Sequence, residues 1–225
     1  MTYADLFKSW ATVLAAMLAA LLLSAAAFTT GAQAQDTNCD VVLDAGHGGT
    51  DSGAVNTKYG LTEKEQTLKV ANRTKALLDL DGYEVCMTRT SNSETLSNRD
   101  RYAYANSTGA DVLVSIHMNG STNPSTDYTT TLFGKWRKDK RLANTVFDSL
   151  STLPAADGTP KIATRTPYSF ASGVLLKSTM PATIAETVFI TNDREAQLLS
   201  NGTGTRQEQI AERLKVGIES YLASP

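Results

Sequence analysis

Two histidines, His47 and His117, are the only imidazoles in the chain, and each follows a short apolar stretch typical of a buried β-strand. Residues 41–43 (VVL) precede His47, and residues 112–116 (VLVSI) precede His117. If these strands are parallel neighbours, their carboxyl ends meet at one edge of a sheet and the two rings converge there. Either histidine alone is readily explained as a structural residue. Together they favour a zinc site, because hydrolytic zinc is commonly held by histidines and one carboxylate, with a position left open for water.

Four acidic residues are close enough in sequence to complete such a site. Asp44 and Asp51 flank a glycine-rich turn, where aspartate usually caps backbone N–H groups, so we assign both a structural or supporting role. Asp44 could accept a hydrogen bond from a ligating histidine. Thr62 and Glu65 have the spacing of a capping box, which gives Glu65 a structural role. Glu63, at the first helical position, is therefore the predicted third ligand.

Glu186 stands out because it lies in an apolar stretch, residues 183–189 (TIAETVF), that predicts a buried strand. An ionised glutamate there is costly unless it is paired or functional. A salt bridge to Arg89, Arg99 or Arg101 would account for it. Alternatively, Glu186 faces the zinc, acting as general base toward the attacking water and then as acid toward the leaving amine. Residue chemistry alone leaves both interpretations open.

The elements that must position these residues alternate between strands and helices. This order predicts an α/β fold, with a mainly parallel twisted sheet of about six strands and helices on both faces. Capping boxes are expected at Thr62/Glu65 and Thr205/Glu208, and Ser97 with Asp100 opens a short helix. Strands are expected at 41–43, 83–88, 111–117, 129–133 (as an edge strand), 174–176 and 183–188, and helices at 62–80, from 97, around 142–150 and at 205–222.

Composition and the N-terminal segment define the class of protein. Hydrophobic residues make up 41%, charged residues 20%, and the net charge is −2, which excludes a disordered or polybasic nucleic-acid-binding chain.

Residues 1–34 contain an apolar run, 10–28, and end in Ala-Gln-Ala, as signal peptides do. We expect cleavage before Gln35, export to the periplasm or medium, and no stable membrane insertion afterwards. An uncleaved anchor is the alternative, because the run approaches the roughly 20 residues that span a bilayer. Residues 35–225 are expected to form one domain.

The two cysteines, Cys39 and Cys86, lie beside or within predicted neighbouring strands. In an oxidising compartment such a pair tends to form a disulfide, which we expect here. Two separate buried thiols are the alternative, since free cysteine is often buried.

Four blocks of sequence resemble the zinc-dependent N-acetylmuramoyl-L-alanine amidases of the amidase-3 type: residues 44–54 (DAGHGGTDSGA), 63–65 (EKE), 115–119 (SIHMN) and 185–192 (AETVFITN). Their order and spacing run through nearly the whole chain from Cys39 to Leu222. The resemblance implies one Zn²⁺ ion held by His47, Glu63 and His117, with Glu186 as catalytic acid/base. It also implies peptidoglycan as the partner, cleaved between N-acetylmuramic acid and L-alanine, and it leaves room for an unidentified activator protein.

Two residues depart from the family pattern, and one segment differs from that of some members. Ser52 replaces the usual proline, which loosens the first ligand loop. Val188 replaces a glycine after Glu186, which excludes a left-handed turn there. Some relatives carry a long insertion after the second histidine strand whose helix covers the zinc, whereas residues 120–131 are too few for such a plug. We therefore expect an open site.

Two other functions remain in view. A zinc peptidase that cuts within the stem peptide would use the same ligands. A non-catalytic wall-binding module with a structural zinc is less well supported, because structural zinc usually has four protein ligands and this chain offers two histidines and a carboxylate.

Overall fold

The computed structural model describes residues 38–224. The expected signal peptide, 1–34, and its cleavage point lie outside the described residues. Among the helices of residues 38–224, none is long and apolar enough to cross a membrane.

The described chain alternates strands and helices, as its sequence predicts. The strands are β1 (Val41–Ala45), β2 (Val55–Asn56), β3 (Leu61–Thr62), β4 (Val85–Met87), β5 (Val112–Asn119), β6 (Thr130–Phe133), β7 (Tyr168–Ser169) and β8 (Ala182–Phe189). The helices are α1 (Glu63–Leu80), α2 (Asn98–Ser107), α3 (Trp136–Leu150), α4 (Gly173–Lys177), α5 (Asp193–Ser200) and α6 (Thr205–Leu222).

Six strands form the main sheet in the order β4-β1-β5-β8-β6-β7, while β2 and β3 form a separate hairpin. Strands β4, β1, β5 and β8 run parallel, and β6 is antiparallel to β8. This confirms the α/β class and the mainly parallel sheet. Strand β6 is not the edge, because the two-residue β7 pairs with its outer side. The carboxyl ends of β1, β5 and β8 share one edge of the sheet, at which His117 lies beside Glu186.

Helices cover both faces of the sheet, and the two faces differ in what they bury. The larger core packs α1, α3 and α6 against residues such as Leu43 and Val114. The smaller core packs α2 and α4 against Val42, Leu113 and Ile184. Because side chains alternate along a strand, His117 and Glu186 point toward the smaller-core face. The polar residues of the site are thus segregated from the larger apolar core.

Residues 174–176, expected as a strand, form most of the short helix α4 instead. Val174 and Leu175 are buried, whereas Leu176 is 47% exposed. Three consecutive apolar residues carry no periodicity that separates a strand from a single helical turn, so the strand prediction was wrong.

Two of the expected capping boxes, Thr62/Glu65 and Thr205/Glu208, are not formed, so these two predictions were also wrong. Thr62 belongs to the β2–β3 hairpin and makes no capping bond, and its buried hydroxyl has no partner. Helix α6 starts after Gly204, and Glu208 pairs with Arg73 rather than capping. The box of Ser97 and Asp100 at the start of α2 is present in full.

The expected disulfide between Cys39 and Cys86 is confirmed. β1 and β4 are parallel neighbours with Val42 opposite Cys86, and the two cysteine Cα atoms lie 5.9 Å apart. The bond joins residues 47 apart in sequence and so restricts the unfolded chain.

Replacing both cysteines with alanine should lower the free energy of unfolding by about 2–4 kcal/mol, because the unfolded chain regains its freedom. Urea unfolding of both proteins under non-reducing conditions measures the difference. Two alkylatable thiols in the unreduced, denatured wild-type protein would contradict the bond.

Candidate metal centre

Three side chains converge at the carboxyl edge of the sheet. One ligand atom each of His47, Glu63 and His117 lies within 4.8 Å of the other two. Glu63 Oε1 is 3.0 Å from His47 Nε2 and 3.0 Å from His117 Nδ1. All three predicted ligands are therefore brought together. Two imidazoles and one carboxylate are a donor set that suits zinc and leaves room in its coordination shell for a further ligand, so the residues present fit the ion.

The loop after β1 holds His47 in an unusual backbone conformation. Its φ is 61°, and it is the one non-glycine residue with positive φ in the described part of the chain. Such strain persists only where the surroundings fix it. The Arg101 guanidinium donates to the His47 carbonyl at 2.8 Å, which helps to hold this turn. The preceding Gly46 is required for a different reason, since a Cβ there would lie 2.5 Å from the His117 ring.

Asp51 orients the His47 ring from the side opposite the ligand atom. His47 Nδ1 lies 2.8 Å from Asp51 Oδ2, which leaves Nε2 directed toward Glu63. Supporting carboxylates of this kind fix the tautomer of metal ligands. Burial lowers the pKa of His47, but the carboxylates of Glu63 and Asp51 together raise it to about 8. Asp51, and not Asp44, therefore makes the contact that the sequence suggested for Asp44.

Glu63 is positioned by the start of α1, whose first N–H groups are satisfied by the ligand loop itself. The N–H groups of Glu63 and Lys64 donate to the carbonyls of Ala54 and Ser52 at 2.9 and 3.1 Å. In return, Glu63 Oε2 accepts from the Ala54 N–H at 2.8 Å, and Oε1 accepts from the Met118 N–H at 2.9 Å. Although burial raises the pKa of Glu63, the two histidines lower it well below its ordinary value. The side chain is thus an ionised carboxylate held in one position.

Arg89 ties together the two segments that carry His47 and Glu63, a role that sequence reasoning did not assign to it. It is 1% exposed. Its guanidinium donates to the carbonyls of Ala45 at 2.8 Å and Gly46 at 2.9 Å, and to the carbonyl of Lys64 at 2.7 Å. The sequence offered one clue, because Arg89 directly follows the stretch predicted as a strand at 83–88. A cation that is buried there needs several hydrogen-bond acceptors.

Asp44 anchors the floor of the site beneath the ligands. It is fully buried, pairs with Arg101 at 2.7 Å, and accepts from the hydroxyls of Ser115 and Thr88. Burial raises the pKa of Asp44, but the Arg101 guanidinium and the two hydroxyls outweigh it and hold the pKa below 3.8. Asp44 is therefore ionised in the folded protein at neutral pH.

This arrangement predicts how stability depends on pH. Because the folded pKa of Asp44 lies below its unfolded value, its contribution is complete above pH 3.8 and is lost as the pH falls through the folded value. Asp44→Asn should cost about 3–5 kcal/mol at pH 7, since it leaves Arg101 buried without a counter-charge. The cost should begin to shrink as the pH falls below 3.8, because protonation of Asp44 then stabilises the unfolded wild-type chain. Urea unfolding between pH 3 and 7 measures this, with exposed Asp79→Asn as control, and a cost independent of pH would contradict it.

Glu186 lies at the same edge, opposite His117 in the β5–β8 register. The salt bridge considered for it is not formed: Arg89 binds carbonyls, Arg101 pairs with Asp44, and Arg99 is exposed. Burial raises the pKa of Glu186, while the nearby His117 lowers it and Glu63 raises it further. Beyond Glu186 the register shifts by one residue, with the extra residue on β8, so the strand continues through a bulge with Val188 buried. The missing glycine is thus accommodated without a left-handed turn.

A cavity of about 300 Å³ opens beside the ligands and is bounded by His47, His117 and Glu186. Its lining also includes the aromatic residues Tyr168 and Phe170 and the apolar residues Leu132, Val174 and Ile184. The geometry places two histidines, a fixed carboxylate and a partly buried glutamate around a space that a substrate can enter.

Comparison with known proteins agrees with this geometry. Residues 41–220 match the family model Amidase_3, described as N-acetylmuramoyl-L-alanine amidase. The chain is 30% identical to the N-acetylmuramoyl-L-alanine amidase AmiA of Salmonella typhimurium over 81% of its own length and 75% of that protein.

Two solved structures share the fold over most of both chains. The N-acetylmuramoyl-L-alanine amidase of Clostridium difficile 630 superposes with a TM-score of 0.74 and 32% identity, covering 84% of this chain and 98% of that one. The CwlD amidase of Clostridioides difficile, solved in complex with the GerS lipoprotein, gives 0.73 and 25%, covering 83% and 99%. The chain therefore belongs to the Amidase_3 family of N-acetylmuramoyl-L-alanine amidases and is a peptidoglycan hydrolase.

Proposed function

We propose that this chain cleaves the amide between N-acetylmuramic acid and L-alanine with one zinc ion held by His47, Glu63 and His117, and with Glu186 as acid/base. The observation that carries the proposal is the convergence of three ligand atoms within 4.8 Å, next to a glutamate that has no cationic partner among the described residues. Zinc suits this donor set better than magnesium or calcium, which favour all-oxygen ligands.

The protein groups have distinct roles in this reaction. When bound, zinc supplies Lewis acidity that activates water and polarises the amide carbonyl. Glu186 takes the proton released by the attacking water and delivers it to the departing L-alanine nitrogen, which leaves as a neutral amine. Asp51 holds the His47 ring, and the Ala54 and Met118 N–H groups hold Glu63, so the ligands need little rearrangement.

A metal analysis paired with a digestion of purified peptidoglycan tests the proposal. We expect about one equivalent of zinc per chain. Mass spectrometry should show glycan free of peptide together with intact stem peptides. Shortened peptides still attached to sugar would identify a stem-peptide peptidase instead. Binding to peptidoglycan with no soluble product would identify a non-catalytic module.

We further propose that the site is permanently open. Between β5 and β6 lie residues 120–129, which contain no helix, and their chain is held at one side by the Ser121 N–H donating to Thr191 Oγ1 at 2.9 Å. His47 and His117 each keep 22% of their side chain exposed.

Shortening this loop should therefore leave activity unchanged. Replacing the exposed residues 122–125 with two glycines removes the tip without cutting the Ser121 contact. We expect turnover of a soluble muramoyl peptide to stay at the wild-type rate, because nothing is uncovered. A many-fold rise would show that the loop restrains the site, and thermal unfolding checks that the variant folds.

Export and partners complete the proposal. We propose that residues 1–34 are a signal peptide removed before Gln35, and that 35–225 act as one domain in the periplasm or medium. Mass spectrometry of the protein recovered outside the cytoplasm tests the cleavage point. The complex of CwlD with the GerS lipoprotein supports a search for an activator of this chain as well.

A further inference from the structure

Positive charge is distributed unevenly over the surface of the described residues. Several exposed or half-buried cations lie within ion-pair distance of a carboxylate: Lys58, Arg73, Lys75, Arg194, Arg213 and Lys215. Others are exposed without such a partner among the described residues but lie singly along the sequence: Lys69, Arg99, Lys161 and Arg165. The start of α3 is different, because the sequence KWRKDKR at 135–141 places five cations and one acid in seven residues of a chain whose net charge is −2. No other seven-residue segment of the described chain holds as many cations.

The one acidic residue of that segment does not neutralise the exposed cations. Asp139 is fully buried, pairs with Lys135 at 3.1 Å, and accepts from the N–H groups of Gly134 and Ala182. Its charge therefore stabilises the first turn of the helix and the neighbouring strand. Four cations of α3 and one of α4 have no carboxylate within ion-pair distance in the described chain: Arg137, Lys138, Lys140, Arg141 and Lys177. Lys138 donates to the Thr179 carbonyl, and Arg141 donates to the Ser224 carbonyl and stacks on Tyr221, so neutral groups hold both cations while their charge stays uncompensated.

A large aromatic side chain lies within this group. Trp136 is 63% exposed, and Lys140 Nζ lies 3.8 Å from the centre of its ring. Nearby, Leu176 is 47% exposed, and one of its methyl groups approaches Gly134. We call these seven residues, Trp136, Arg137, Lys138, Lys140, Arg141, Leu176 and Lys177, the α3 surface. It combines an exposed indole with uncompensated positive charge.

The α3 surface is continuous with the catalytic cavity. Phe170 lines the cavity with Glu186, is 49% exposed, and donates its N–H to the Phe133 carbonyl at 2.9 Å. The Phe133 ring in turn packs edge-on against Trp136, with ring centres 5.4 Å apart. Phe133 itself is buried and pairs with Ser169 of β7, so an extended ligand that leaves the cavity past the exposed Phe170 runs along β7, away from the carboxyl edge, toward Trp136.

We propose that the α3 surface binds the peptidoglycan strand beyond the scissile amide, an inference that rests on the function proposed above. A peptide stem ends in a free carboxylate, which matches Arg and Lys side chains that have no carboxylate partner in the described chain, and the apolar face of a sugar ring matches the exposed indole. Continuity with the cavity favours this occupant, because the strand that carries one cleavable amide also carries neighbouring stems. The surface adds affinity and orientation for polymer, and it plays no part in the chemical step.

The test separates polymer binding from catalysis. In a Glu186→Gln background, which prevents digestion, binding to purified sacculi stripped of other polymers is measured by sedimentation. Arg137→Gln/Lys140→Gln and Trp136→Ala should each weaken this binding about tenfold at low salt. The matched control is Lys69→Gln/Lys161→Gln, which removes the same charge from two other exposed, unpaired lysines and should bind as the parent does.

Three results would overturn the proposal: unchanged binding of the α3 variants, an equal loss in the control, or tighter binding to phosphatidylglycerol vesicles than to sacculi. The parent protein should bind sacculi with amidated carboxylates about as weakly as the α3 variants bind untreated sacculi. Undiminished binding to the amidated sacculi would also contradict the proposal. With Glu186 restored, the α3 variants should turn over a soluble muramoyl peptide at the wild-type rate. If the parent protein fails on that soluble substrate, the proposed function fails, and the binding result still stands by itself.

Discussion

Replacing Glu186 by glutamine should reduce kcat/KM by about 10²- to 10⁴-fold, the contribution typical of a positioned acid/base. Glutamine preserves the shape of the side chain but cannot accept the proton of the attacking water or deliver one to the leaving nitrogen. Zinc content and thermal stability should stay at wild-type values, because the three proposed ligands are untouched. Turnover of a soluble muramoyl peptide and metal analysis measure both parts.

Glu84→Gln is the matched control for this substitution, since Glu84 is exposed and distant from the cavity. It should change neither activity nor metal content. A Glu186→Gln enzyme that works at the wild-type rate would remove Glu186 from the mechanism, whereas one that loses zinc would show that its carboxylate holds the ion.

His47→Ala should abolish both zinc binding and activity, because it deletes one of three protein ligands. Asp51→Asn, which keeps the ring but replaces the carboxylate 2.8 Å from His47 Nδ1, should weaken zinc binding by about 10- to 100-fold. A larger loss of zinc affinity in His47→Ala than in Asp51→Asn distinguishes a ligand from a residue that orients it. Competition with a chromogenic chelator measures both affinities without reference to turnover.

A comparison of His47→Ala with His47→Asn separates loss of zinc binding from loss of folding. The backbone there is left-handed, which alanine tolerates poorly, whereas asparagine adopts it more readily. His47→Asn should therefore fold better than His47→Ala and still bind zinc weakly. Wild-type affinity in either variant would show that His47 is not a ligand.

The sequence carried most of the information about the centre of this molecule. His47, His117 and Glu186 could be placed because each follows or interrupts an apolar strand, and the ends of parallel strands meet at a shared edge. Glu63 could be placed because a helix start leaves its side chain free. Their catalytic and metal-binding roles remain predictions, whereas their proximity is a feature of the structure.

What sequence reasoning missed depends on contacts between distant segments. The N–H groups at the start of α1 are satisfied by Ser52 and Ala54 rather than by Thr62, and no local spacing reveals such a partner. The role of Arg89 likewise depends on carbonyls more than 20 residues away. Local patterns describe a helix or a turn well, but they do not show which loop will fold against it.

The hydrogen bonds that the Glu63 and Lys64 N–H groups donate to the Ala54 and Ser52 carbonyls close the base of the β2–β3 hairpin. The position of Glu63 relative to the loop that carries His47 is thus fixed at the base of the hairpin and not at its tip. At the tip, Tyr59 packs against the larger core and Lys58 pairs with Asp193, whereas Gly60 faces open space, because a Cβ added there would meet nothing within 4 Å. Extra residues inserted beside Gly60, with Lys58 and Tyr59 kept in place, should therefore be tolerated, so a fluorescent tag or an epitope grafted there should report on the enzyme without disturbing its proposed metal site.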